Sequence, residues 1–450
     1  MLSLSRMSFP RKFVDHAPDV CRCPRCGKAI VRHESRPQYF WEPGLVHPMI
    51  LVVTVGCYVC REHPRGEQWF NALPSDLQGG VQYARSTKEK VVALVRRFKM
   101  PLTLAAEAAR DTFHLPKLDE TTVLDWMREL SLEVDVAAFQ DRAVEEFSGQ
   151  LDVDEVYDGR YGQLKATDPI RGVELDYELI EGPIREAHVE AFFQRLKDRG
   201  FMPWIVTTDG SKLYPEVIRR VWPDADHQRC VFHFIKQCNE DLMKAFWVAY
   251  HTMPKPPKRK RGRPKKRGRP RLDKQKRANR RTVAKARFLV LKRTENMSDQ
   301  EQERLQEMLA LCPPLRDLRC LVETLHDLFG PTTTEPDQAE SKRRAILGDE
   351  HFQTRDEFGV VLGRLADDDL FRRLTVYLDY ENAEKTSNHV ERENREFRKR
   401  QKSHYRLRSL ESICALLDLL MVRDRPYGRV ERLRRKQVEA STGEEVVQAA

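Results

Sequence analysis

At 450 residues, with 40% hydrophobic and 33% charged residues, the chain is too long for one ordinary domain and apolar enough for two to four folded units. The net charge of +10 is local: residues 255–271 hold eleven Lys or Arg and no acid, and without them 68 basic residues (79 − 11) face 69 acidic ones, a distribution suited to holding a polyanion at one place. Ten cysteines, half of them before residue 61, exclude a disulfide scaffold, and the longest apolar run, residues 48–60, is shorter than the roughly 20 residues a bilayer crossing needs.

Residues 1–20 read as a flexible tail. Cys23-x-x-Cys26 and Cys57-x-x-Cys60 then make a four-thiol set spanning 21–63. A CxxC lets two sulfurs reach one tetrahedral ion, so the pattern predicts a zinc ribbon whose Zn²⁺ supplies folding energy that a tiny core cannot. Cys21, His16, His33 and His63 are nearby alternatives, each read as a surface residue. A linker follows over 64–85. Residues 86–135 read as three helices. Val91, Val92, Val95 and Phe98 line the first, an Ala-rich piece from Leu102 to Ala109 forms the second, and Thr121-Thr122 caps the third, which carries Val123, Trp126 and Met127. This module is helix-turn-helix-like, and small helical bundles without a DNA role share the pattern.

From Gly149 the period changes to strands. Leu151–Tyr157, Tyr161–Ala166 and Val173–Ile180 are followed by a helix over His188–Lys197 and a fourth strand, Trp204–Thr208. Asp154 lies in the first strand and Asp209 at the exit of the fourth, so the two meet if those strands are neighbours; ligands of open α/β sheets bind at such strand ends. Asp152 points to the same side as Asp154, and Glu155 is adjacent. Cys230 and His233 fall three apart on a predicted helix, as half a metal site or, preferably, as a buried thiol and a hydrogen-bonded imidazole that fix the root of a large insertion. Residues 238–385 read as that insertion, α-helical in pattern. Near its start, Arg261-Gly-Arg263-Pro and Arg267-Gly-Arg269-Pro resemble a pair of AT-hooks within 255–271, whose extended Arg side chains suit a narrow minor groove. A disordered basic linker has the same composition. A long basic helix opens near Asn388 and fills the first part of 386–425. Asn388, Glu391, Arg395, Arg398 and Lys402 stand at −3, 0, +4, +7 and +11 about the acid, on one face and suited to a phosphate backbone. Residues 426–450 read as a tail.

Taken in order, Asp154-Glu-Val-Tyr157, Asp209-Gly210, Gln228-Arg229-Cys230-x-x-His233 and Asn388-x-x-Glu391-Arg392 resemble the motifs of Mutator-like DDE transposases and their bacterial insertion-sequence relatives, over roughly residues 147–237 and 381–420. The resemblance implies an α/β RNase H-like catalytic core, split into 147–237 and 386–425 by the α-helical insertion and preceded by the zinc ribbon and the helix-turn-helix-like module. It implies Asp154, Asp209 and Glu391 as ligands of two Mg²⁺ or Mn²⁺ ions that drive phosphodiester cleavage and strand transfer. Only the Asp-x-x-Tyr match prefers Asp154 to Asp152. The partners expected are double-stranded DNA, as element ends and target, and a second copy of the chain. No membrane is expected, and the location would be the cytoplasm and nucleoid of a prokaryote or a nucleus. A non-catalytic DNA-binding regulator and an RNase H-fold nuclease without strand transfer are the rival readings.

Overall fold

A computed structural model describes residues 10–42, 49–72, 83–113, 115, 118–256, 271–403 and 407–422. The chain divides into two compact units, one from Met1–Phe139 with Arg395–Arg425 and one containing Gln140–Asn394.

The first unit opens with β1 (Arg11–His16), β2 (Val20–Arg22), β3 (Ala29–Glu42), β4 (Met49–Val59) and β5 (Trp69–Ala72), in a sheet ordered β1-β4-β3-β2 with β5 also on β4. The sequence of β4, MILVVTVGCYV, is apolar almost throughout and buried along most of its length. Such a strand needs partners on both edges. β3 covers one; β1, parallel, covers the other from Ile50 to Val55, and β5 continues it from Gly56 to Val59. The expected tail 1–20 is therefore corrected over β1 and β2, and the expected linker 64–85 over β5: β1 and β5 supply hydrogen bonds that β4 would otherwise lack. Three helices follow, α1 (Arg85–Arg96), α2 (Leu102–Phe113) and α3 (Glu120–Leu132). The cap of α3 is Asp119, which accepts from the Thr122 backbone N–H at 2.8 Å; the Thr pair expected to cap it lies inside the first turn. α4 (Val136–Glu145) leads to the second unit.

There β6 (Gln150–Asp158), β7 (Tyr161–Asp168) and β8 (Val173–Glu181) form an antiparallel meander. α5 (Glu186–Arg199), β9 (Ile205–Thr208), α6 (Pro215–Val221) and β10 (Asp226–Arg229) complete a sheet ordered β10-β9-β6-β7-β8, with β9 parallel to both β6 and β10. The three strands, helix and fourth strand match the expectation; β10 is additional. Alternation along β6 separates two faces. Leu151 and Val153 join Phe192, Phe193, Val217 and Trp222 in an apolar core with α5 and α6, which leaves Gln150, Asp152 and Asp154 on the other face.

α7 (Val231–Thr252), α8 (Arg271–Ala286), α9 (Asp299–Leu311), α10 (Leu315–Leu328), α11 (Pro336–Gly348), α12 (Glu350–Gln353), α13 (Gly359–Ala366) and α14 (Asp368–Thr375) form the helical insertion. It has a core of its own, including Phe234, Phe246, Met308, Leu318, Phe329 and Leu374. α15 (Asn388–Ser403) begins in the second unit and ends in the first, where α16 (Leu410–Met421) packs on α3 and α1. The expectation that 386–425 belongs wholly to the catalytic core is corrected here. α16 buries Ile413, Leu416, Leu417 and Leu420, and apolar helices of the first unit meet that demand. Among the described residues no helix is long and apolar enough to cross a membrane.

A candidate carboxylate active site

The parallel register pairs Asp152 with Thr207. Continued by two residues, it brings Asp209 level with Asp154 at the strand ends. Carboxylate oxygens of Asp154, Glu155 and Asp209 all lie within 4.8 Å of one another. Asp209 is fixed by an Asx turn, accepting from the Ser211 backbone N–H at 2.7 Å. Beside it, a Cβ on Gly210 would come within 2.6 Å of the Arg229 guanidinium, which would have to shift. Glu155 accepts a hydrogen bond from the buried Tyr214 hydroxyl.

Glu391, in the first turn of α15, is close enough to act electrostatically on Asp154. Its carboxylate lies 3.5 Å from His233 Nδ1, and a carboxylate oxygen of Glu391, the Cys230 sulfur and a ring nitrogen of His233 form a second close group. One turn further along α15, the buried Asn394 donates from Nδ2 to Asp154 Oδ2 at 2.8 Å. Thus the first two turns of α15 present two polar side chains, three residues apart, to the polar face of the sheet.

Three buried contacts bring α15 there. Gln150 forms a two-point clip with the Glu384 backbone: Oε1 accepts from its N–H at 2.8 Å, and Nε2 donates to its carbonyl at 2.7 Å. Gln228 donates to the Leu374 carbonyl at 3.1 Å and accepts from the Tyr377 N–H at 2.9 Å. Cys230 accepts from the Ser387 N–H at 3.3 Å, while the Val231 N–H bonds the Lys385 carbonyl at 3.0 Å. Gln228 and Cys230 thus tie the root of the insertion to its exit.

The electrostatics are those of crowded acids without enough counter-charge. Burial pushes Asp154 up to about 7, assisted by Asp209 and Glu391 and opposed by the Asn394 hydrogen bond. Burial likewise lifts Glu155 to about 7, with Asp209 and Asp154 adding to it and Tyr214 opposing. Lys165, directly across from Asp154, is paired with Glu174 at 3.0 Å deep in the sheet. An all-oxygen donor set with surplus negative charge fits hard divalent cations. Asp152 is fully buried and absent from the carboxylate group, and burial holds its carboxyl well above the ordinary range.

The thiols of the first unit gather differently from the expected four. Ligand atoms of Cys23, Cys26, Cys60 and His63 lie within 4.8 Å of one another, with Cys23 Sγ 3.4 Å from His63 Nε2 and Cys26 Sγ 3.7 Å from Cys60 Sγ. Cys57 is corrected out of the set: it is buried within β4, opposite Glu34 and Asn71. Cys60 lies beyond the strand, so the second turn that can offer two ligands is Cys60-Arg-Glu-His63. The first is closed by Gly27, at φ +70°, whose N–H bonds the Cys23 carbonyl at 2.9 Å. Burial, the largest influence on the Cys23 thiol, raises its pKa. The backbone N–H groups of Cys26 and Arg25, with the His63 side chain, outweigh it and bring the thiol to about 6. Three sulfurs and an imidazole fit Zn²⁺.

Of the expected DNA contacts, Arg261, Arg263, Arg267 and Arg269 lie outside the described residues. Asn388, Arg395, Arg398 and Lys402 are exposed along α15, whereas Glu396 and Arg400 are buried and paired at 3.2 Å. The candidate recognition helix α3 exposes Thr121, Asp125 and Glu129, an edge whose acids are poorly suited to a phosphate-lined groove. Gln150, Glu155, Asn394 and His63 are functional candidates that sequence pattern alone does not single out. Only His63 carries a visible signal, its spacing of three from Cys60.

Residues 183–355 match the model of a transposase family, DDE_Tnp_ISL3, a span that includes Asp209, Cys230 and His233. This family differs from the Mutator-like one the motifs resemble; what the two share is the DDE transposase class. No curated protein matches. Among solved structures, the Drosophila P element transposase strand transfer complex is similar at 12% identity and a TM-score of 0.41, over 77% of this chain and 94% of that one.

Proposed function

We propose that this chain is a DDE transposase that cleaves DNA at the ends of a mobile element and joins the freed 3′-hydroxyl to target DNA. The observation that carries the reading is the meeting of Asp154 and Asp209 at neighbouring strand ends, with Glu391 on α15 near enough to act electrostatically on Asp154. An RNase H-like core is the architecture this reading assigns to that sheet, and Mutator-like kinship is the finer placement its motifs favour. Asp154 and Asp209 would hold Mg²⁺ or Mn²⁺, and Glu391 would complete the ligand set from α15. Ions so held would activate the attacking oxygen and stabilise the leaving one in an in-line phosphoryl displacement. The residues themselves orient and charge the site. The Asn394 amide orients Asp154, the Ser211 N–H orients Asp209, and the Tyr214 hydroxyl holds Glu155 as a supporting carboxylate.

The Cys23, Cys26, Cys60 and His63 group would bind a structural Zn²⁺. The exposed stripe of Asn388, Arg395, Arg398 and Lys402, and the AT-hook-like arginines 261, 263, 267 and 269, would contact the DNA backbone and minor groove. Joining two element ends calls for at least a dimer. The deciding experiment incubates labelled duplex carrying the element's own flanking ends with the protein and Mg²⁺ or Mn²⁺, beside Asp154→Ala, Asp209→Ala and Glu391→Ala. Joined products that vanish in all three variants while DNA binding survives support the reading. Cleavage without joining would favour a nuclease, and binding without cleavage under either metal a regulator.

A further inference from the structure

The helix that follows the AT-hook-like run has no assigned role. Residues 271–287 contain eight Lys or Arg and one acid. Lys274, Arg277, Arg281 and Lys285 on α8 stand at 0, +3, +7 and +11, hence on one side of the helix. Lys274, Arg281 and Lys285 are exposed and Arg277 is half-buried. The opposite side carries Val283, fully buried in the insertion core. The rotation of α8 is fixed further by Arg280, whose guanidinium lies 4.1 Å from the centre of the Tyr250 ring and donates to the Tyr250 and Met253 carbonyls at 3.2 and 2.8 Å. The stripe is therefore held facing outward.

Several surface cations elsewhere in the insertion pair with an acid on their own helix: Arg344 meets Glu340 at 2.8 Å, and Lys244 meets Asp241 at 2.6 Å. Among the described residues, none of Lys274, Arg277, Arg281 and Lys285 has an acidic partner. A merely solvated helix face mixes both signs and gains a few tenths of a kcal/mol from each i,i+4 pair. Four cations of one sign forgo that gain and repel one another, as expected of a face that meets a polyanion. Eleven residues of helix rise about 16 Å, enough to follow roughly five phosphates of one strand at 3.4 Å each. α8 also begins at Arg271, where the basic run of residues 255–271 ends.

We infer that the Lys274, Arg277, Arg281 and Lys285 face of α8 is a sequence-independent binding surface for the phosphate backbone of duplex DNA. This deepens the transposase reading and rests on it for the choice of polyanion. Binding releases counterions, so each cation contributes about 0.9 to the slope of log affinity against log salt.

The test compares the full chain with its fourfold variant Lys274→Gln, Arg277→Gln, Arg281→Gln and Lys285→Gln, on an unrelated duplex and on element-end DNA, across a salt series. Glutamine preserves helix propensity. A second variant that exchanges Lys and Arg at the same four positions controls for folding. The inference predicts a slope shallower by about 3.6 on both duplexes for the glutamine variant, with the exchange variant unchanged. An unaltered slope in the glutamine variant overturns it. So does loss of binding to phosphatidylserine vesicles with the DNA slope intact, which would give the face to a membrane surface. A wild type that binds no duplex at any salt sinks this inference and the transposase reading together. Binding with the full slope but no cleavage sinks only the latter.

Discussion

Asn394 Nδ2 donates to Asp154 Oδ2 at 2.8 Å across 240 positions of chain, tying the helix that carries Glu391 to the strand that carries the first acid. The bond orients the carboxylate and favours its charged form, and a hydrogen bond to a charged group is worth about 1.5–3 kcal/mol. Asn394→Ala should therefore slow cleavage by roughly ten- to a hundredfold and raise the Mg²⁺ concentration needed for half-maximal rate. Asn394→Asp, which adds a charge where Asp154, Asp209 and Glu155 already repel one another, should be worse than the alanine. Equal rates for wild type and Asn394→Ala at limiting Mg²⁺ would remove the residue from the site.

Glu155 and Glu391 compete for the role of third acid. Glu155 is nearer in the sense that its oxygen shares one group with Asp154 and Asp209, but it is engaged by Tyr214, and its strand neighbour already supplies a carboxylate. Glu391→Gln should abolish cleavage, by about a thousandfold or more, as removal of a metal-positioning charge does. Glu155→Gln and Tyr214→Phe should each cost less, the first by removing a charge while keeping an acceptor for Tyr214 and the second by removing the donor. Single-turnover cleavage of pre-bound DNA would decide it: a dead Glu155→Gln beside an active Glu391→Gln reverses the assignment.

The two ligand sets of the zinc-type group give opposite outcomes for two single changes. Cys57→Ser should leave one Zn²⁺ per chain, whereas His63→Ala and Cys60→Ser should lose it and lower the melting temperature of the first unit. Metal content of the purified variants, read by elemental analysis, is sufficient. Retention of the ion in His63→Ala together with its loss in Cys57→Ser would restore the four-cysteine set.

The positions of these residues explain what can be read from the sequence. Asp209 can be read as a strand exit, but alternation gives Asp152 and Asp154 the same side and only the Asp-x-x-Tyr match separates them; it is the register Asp152–Thr207 in the fold that brings Asp154 level with Asp209. Glu391 is legible through its motif alone. Gln150, Gln228 and Asn394 are not legible in their roles, since their partners Glu384, Tyr377 and Asp154 lie 234, 149 and 240 positions away and a buried amide has no local signature. Cys57 misleads because its CxxC spacing is right while its place inside β4 is wrong. β1 escapes notice because six half-polar residues make a strand only when an apolar neighbour such as β4 lacks an edge partner.

The raised Asp154 carboxyl makes stability depend on pH and on divalent ions together. Its folded value of about 7 lies above the ordinary 3.8, so between those values the folded state binds the extra proton. Stability from this group is then fully present below about pH 4 and is lost as pH rises toward 7. At pH 8 without divalent ions the ionised carboxylate opposes folding by on the order of 2 kcal/mol after allowance for partial solvation. Asp154→Asn should therefore raise the melting temperature at pH 8 in a chelating buffer while abolishing cleavage, and should change it little at pH 4. Adding Mg²⁺ or Mn²⁺ at pH 8 should stabilise the wild type and leave the variant nearly unmoved. Ion affinity should climb between about pH 6 and 8, as Asp154 and Glu155, both lifted to about 7, release their protons. Calorimetric titration in buffers of different ionisation enthalpy reads that proton release directly, and pH-independent affinity with no proton released would contradict the crowded-acid account of the site.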